Sequence, residues 1–104
     1  MSARTYAVFP TPDELLVDRK GRPYFLWDVD WTLDEFKARL AAGPAPVRDA
    51  LLAKLMLQAK PDDVLSFVSR AEVASRFQYL ASQLGDKREF WAFWAERWRR
   101  GDHP

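Results

Sequence analysis

From Thr32 to Arg100 the chain is punctuated as a succession of short helices, and that punctuation limits its fold more than any other feature. Thr32 followed by Glu35 is a capping box, in which hydroxyl and carboxylate satisfy two of the N–H groups that a helix start leaves free. Gly43-Pro44 cannot continue the element, so a helix is expected over Leu33–Ala42. Pro46 suits a first helical turn, where its missing N–H would be unpaired in any case. The stretch VRDALLAKLMLQAK then presents Leu51, Leu52, Leu55, Met56 and Ala59 on one broad face, with Leu57 on the other. That helix is expected to be the most buried. Pro61 begins a short helix through Val68, with Asp62 and Asp63 near the positive end of its dipole. Ser69 with Glu72 reads as a second capping box before RAEVASRFQYLASQL, which Gly85 closes. Asp86 with Glu89 opens the last helix, KREFWAFWAERWRR, and Gly101 stops it.

Ahead of Thr32 the pattern differs. Pro10 and Pro12 mark residues 1–13 as an irregular arm. Two apolar runs then flank Asp18-Arg19-Lys20-Gly21, where Asp opens a turn and Gly21 can take a positive φ, so a β-hairpin is expected over residues 14–27. The expected fold is mainly α: a compact array of about five short helices within residues 33–100, preceded by the arm and the hairpin, with residues 14–104 as a single domain.

Composition narrows the chemistry. Lys and Arg number 16 against 15 Asp and Glu, so net charge points to no class of partner. There is no cysteine, which removes disulfides, zinc ribbons and thiol nucleophiles. The one histidine, His103, sits beside the C-terminus, so a Ser-His-Asp triad lacks its central member. No catalytic residue, metal or cofactor is expected. The N-terminal MSARTYAVFPTP lacks the apolar core of a signal peptide and no membrane-length apolar run follows, so the expected compartment is the cytoplasm, away from membranes.

The stretch FLWDVDWTL carries Asp28, Asp30 and Thr32 at the D-x-D-x-T spacing that resembles haloacid-dehalogenase-type phosphatases. In that chemistry the first aspartate attacks a phosphoryl group and the second moves the proton. Lys60 and the Asp62-Asp63 pair are tempting further matches. The first aspartate, however, must end a central parallel strand, and the other groups must arrive from neighbouring strands. After residue 32 the sequence offers helices only. Trp31 also stands where a small residue would let the backbone turn beneath a phosphate. The two aspartates fit better as acceptors between a strand end and a capped helix, with Trp27 and Trp31 covering a small core.

Three of the five tryptophans lie in EFWAFWAERW. At helical spacing Phe90, Trp91, Trp94 and Trp98 form one stripe, with Phe93 on its flank. The stripe can pack the last helix onto the others, or it can exceed what a small core hides and serve as an interface beside Arg97 and Arg99. Stacking of single-stranded bases, with Lys87, Arg88, Arg97, Arg99 and Arg100 on phosphates, is an alternative that Asp86, Glu89, Glu96 and Asp102 oppose.

GRPYFLWDVDWTLDEF, LLAKLMLQAKPDDVLSFVSRAEV and FWAFW together resemble a group of small bacterial α-helical proteins with a "PYFFWD" start and a Trp-containing end. Trp27, Asp28, Asp62, Asp63 and Val64 match its pattern. Members are antitoxin-like or adaptor-like and often paired with nucleotidyltransferases of the abortive-infection type. The resemblance implies a non-enzymatic protein-protein interaction module that binds and regulates such an enzyme. The expected partner-binding residues are Trp27, Asp28, Asp30, Trp31, Trp91, Trp94, Arg97 and Trp98; a homodimer is compatible with the same surfaces, and a nucleic-acid-binding regulator is the alternative.

Overall fold

Residues 10–101 are described by a computed structural model, and most of them lie in α-helices and short 3-10 turns. The helices are α1 (Asp13–Leu16), α2 (Leu33–Ala42), α3 (Ala45–Gln58), α4 (Pro61–Phe67), α5 (Arg70–Leu80) and α6 (Arg88–Arg99), and the chain is mainly α. Of the arm expected over residues 1–13, residues 1–9 lie outside the described residues, as does His103.

The capping box of α2 forms as the sequence predicts. Glu35 N–H donates to the Thr32 hydroxyl at 3.1 Å, and the Glu35 carboxylate accepts from Thr32 N–H at 2.8 Å. Gly43 ends α2 through a close approach rather than an unusual φ: a Cβ there would sit 2.9 Å from the Arg39 carbonyl oxygen and 3.0 Å from Val47 Cγ1. Arg48 Nε donates to the Leu40 carbonyl at 2.6 Å, satisfying one of the acceptors that a helix end leaves free. The expected face of α3 is buried, with Leu55 and Met56 fully enclosed and Leu51, Leu52 and Ala59 nearly so.

Trp91 fastens α6 to α3. Its indole N–H donates 2.9 Å to the Met56 carbonyl, and Lys87 Nζ donates 3.1 Å to the next carbonyl, Leu57, so two carbonyls that the last turn of α3 leaves without a helical partner are satisfied from α6 or the turn before it. On the other side of the core, Phe25, Phe36 and Phe67 meet edge to face with ring centroids 5.3–5.7 Å apart.

Three expectations require correction. The β-hairpin over residues 14–27 does not form. In its place are the turn of helix α1, a tight turn at Asp18–Gly21, one isolated bridge between Val17 and Pro23, and a 3-10 turn at Tyr24–Leu26. Pro23 has no N–H with which to extend a ladder, and the Asp18 carboxylate captures the N–H groups of Lys20 and Arg22 at 2.9 and 3.0 Å. Gly21 does take a positive φ, 78°, and its carbonyl accepts from Leu33 N–H at 2.7 Å, which ties the turn to the start of α2. The second capping box is only half made: Ser69 accepts from Glu72 N–H, but the Glu72 carboxylate turns away to Arg48 on α3. Finally, α5 ends at Leu80 and passes through 3-10 turns at Ala81–Gln83 and Gly85–Lys87, so Asp86 lies inside a turn and Lys87 stands at the start of α6 with no side-chain cap.

Candidate functional site

The 3-10 turn Tyr24–Leu26 sorts its side chains by position. Phe25 and Leu26 enter the core, and the next residue, Trp27, is left 74 % exposed, more than any other large apolar side chain among the described residues. Trp27 forms one side of a groove of about 420 Å³ with Leu15, Leu16, Tyr24, Leu26 and Val29 among its other lining residues. Leu15 is itself exposed, and it is carried by α1. Two separate elements, α1 and the end of the 3-10 turn, therefore present unburied apolar side chains to one concavity.

A buried carboxylate holds those elements together. Asp63, on α4, is 1 % exposed. It accepts from Thr11 N–H at 2.6 Å, from the Thr11 hydroxyl at 2.7 Å and from the Tyr24 hydroxyl; the Tyr24 oxygen in turn accepts from Lys60 N–H at 2.8 Å. Burial alone would raise the Asp63 pKa, but the hydrogen bonds from Tyr24 and Thr11, with Lys60 nearby, outweigh it and hold the carboxyl below its usual range. Burial and the Asp63 partner push the Tyr24 phenol up to about 12. Thr11 leads directly into α1, and Tyr24 lines the groove, so this clasp sets the separation of the groove's walls.

The two aspartates of FLWDVDWTL diverge. Asp28 pairs with Lys54 on α3, whose hydrogen bond lowers the Asp28 pKa against the effect of burial. Asp30 reaches the other way, to Arg22 at 3.1 Å, and Arg22 also holds Asp18 at 2.9 Å. The carboxylates do not converge on a shared point, and no group of three or more metal-ligating side chains occurs among the described residues. Lys60, once a candidate phosphate partner, lies over the Tyr24 ring at 5.9 Å.

The expected partner-binding residues therefore separate. Trp27, Asp28 and Asp30 follow the 3-10 turn at or beside the groove. Trp31 is half-buried beneath the Arg39 guanidinium, 4.4 Å from its ring centre. Trp91 and Trp98 are core residues and cannot act as exposed anchors; a helix with its inner face packed on α5 and α3 buries them first. Trp94 is half-buried and stacks on Trp98 at 5.6 Å, while Arg97 lies over Phe93 and Trp94. Of the cations proposed for phosphates, Lys87 is committed to a backbone carbonyl, and Arg99 and Arg100 both face Glu96. The sequence reasoning missed Leu15, Tyr24, Thr11 and the clasp role of Asp63. A Thr-Pro pair just before an acidic helix start was the one local hint.

Among the described residues no helix is long and apolar enough to cross a membrane. Comparison with protein-family models, curated proteins and solved structures finds no match to this chain.

Proposed function

We propose that this chain is a non-enzymatic cytoplasmic protein-interaction module whose principal anchor is Trp27. The observation that carries this is the 74 % exposure of Trp27 on the wall of a concave groove in which Leu15, Leu16 and Leu26 alternate with the polar Asp18, Arg22 and Tyr24. Large aromatic side chains left in water beside a pocket are what binding hot spots require, because the free energy of covering them is still available to a partner. The clasp supports the same reading, since walls held by a buried carboxylate need little ordering when a ligand arrives. The resemblance of GRPYFLWDVDWTLDEF and the PDDV segment to antitoxin-like helical proteins supports a nucleotidyltransferase as the protein bound and regulated.

The test is affinity capture from cytosol of the organism that encodes the chain, with wild-type and Trp27→Ala protein as paired baits. A nucleotidyltransferase retained in stoichiometric amount by wild type and lost by Trp27→Ala supports the proposal. Equal retention by both baits, or no such enzyme on either, refutes it.

A further inference from the structure

A second surface lies on α6, on the side turned away from the core. At about 100° per residue, Phe90, Phe93 and Arg97 fall within a band of about 60° along the helix, while Trp91 and Trp98 face inward. Phe90 is 41 % and Phe93 55 % exposed. The Arg97 guanidinium lies 5.4 Å from the Phe93 ring centre and 6.0 Å from that of Trp94, so it is held by two aromatic faces. No carboxylate among the described residues pairs with Arg97. A guanidinium held beside two aromatic rings has part of its side-chain freedom already removed and keeps its N–H donors for a planar acceptor.

We infer that this ridge is a docking surface for a protein segment carrying one Asp or Glu flanked by apolar side chains, with the carboxylate on Arg97 and the apolar residues on Phe90 and Phe93. Charge complementarity selects that occupant. Across residues 87–100 there are five bases, Lys87, Arg88, Arg97, Arg99 and Arg100, against the acids Glu89 and Glu96. Arg99 and Arg100 face Glu96, at the same end of the helix as Arg97, which leaves one cation on the ridge rather than a track of them. One guanidinium matches one carboxylate. A nucleic acid requires several cations aligned along its phosphates, and Glu96 stands among those it would have to use. This surface is separate from the Trp27 groove and stands or falls independently of it.

The probe is a display library of random twelve-residue peptides selected on the immobilised full chain, with Arg97→Gln, Arg97→Lys, Phe93→Ser and Trp27→Ala chains as parallel baits and thermal unfolding as the fold check on each. The expected result is an enriched family with Asp or Glu between apolar residues. By fluorescence polarisation its members should bind about tenfold more weakly to Arg97→Gln and to Phe93→Ser, to an intermediate degree to Arg97→Lys, and equally to Trp27→Ala. Peptides without a carboxylate, peptides lost only on Trp27→Ala, or no enrichment would each overturn the ridge assignment, and the second of these would place the binding at the groove instead. Arg97-dependent binding of a twenty-residue oligo-dT would reassign the ridge to nucleic acid. Concentration-dependent dimerisation in sedimentation that Phe93→Ser abolishes would reassign it to a second copy of this chain.

Discussion

Replacing Asp63 with Ala should be among the most damaging single changes outside the apolar core. The carboxylate is 1 % exposed and accepts three hydrogen bonds, two from Thr11 and one from Tyr24. Hydrogen bonds to a charged group contribute about 1.5–3 kcal/mol each, and a buried donor left without its acceptor costs about 1–3 kcal/mol. Thr11 and Tyr24 are only part-buried, so water can replace some of what they lose, and about 2–4 kcal/mol is the expected loss. In a domain of this size that corresponds to a fall in Tm of about 10–25 °C. Urea unfolding followed by circular dichroism measures the free energy directly. Tyr24→Phe should cost less, because the Asp63–Thr11 bonds survive it, and the double variant should show a coupling of about 1 kcal/mol. A loss below about 1 kcal/mol for Asp63→Ala, or strict additivity with Tyr24→Phe, would refute the clasp.

The clasp also fixes the pH dependence of stability. The folded-state pKa of Asp63 lies below its unfolded value of about 4, so its contribution is complete above that pH and is lost as pH falls through the folded value; Asp63→Ala should flatten the acid limb relative to wild type. Tyr24 has the opposite sign: its folded pKa of about 12 exceeds the unfolded value of about 10, so its contribution is complete below pH 10 and disappears as pH rises toward 12, and a Tyr24→Phe chain should lack that step in alkaline denaturation. Gly43→Ala should destabilise by about 1–2 kcal/mol despite alanine's higher helix propensity, because the added Cβ lies 2.9 Å from the Arg39 carbonyl; an unchanged urea midpoint would show that the α2–α3 junction can relax. Trp91→Phe removes the donor to Met56 and leaves a void between α3 and α6, for a loss of about 2–4 kcal/mol in the same assay.

What was legible in the sequence was local. The Thr32–Glu35 cap, the Pro46 helix start and the apolar face of α3 each depend on residues within a turn or two of one another, and each appears where the pattern places it. Competition at longer range decided the rest. Glu72 can cap its own helix or pair with Arg48 from α3, and it does the latter. Asp18 diverts two N–H groups that a hairpin would have used, and Pro23 cannot supply a third. The acidic start of α4 reads locally as two dipole partners, yet Asp63 serves a residue 52 positions away, a relation with no periodic signature. Helical spacing aligned the aromatic residues of α6 but could not say how far the core extends, and the boundary falls between Trp91 and Trp98, which are inside, and Phe90 and Phe93, which are not.

As proposed, Trp27 anchors a partner rather than the fold. Its side chain is 74 % exposed, so Trp27→Ala should leave the unfolding free energy within about 0.5 kcal/mol of wild type. Calorimetric titration of the captured partner into wild-type and Trp27→Ala protein separates these two roles. A hot-spot anchor should contribute at least about 2 kcal/mol, a loss of about thirtyfold in affinity with stability unchanged. Equal affinity for both proteins, or a loss of affinity that tracks a loss of folding, would show that Trp27 is not the anchor.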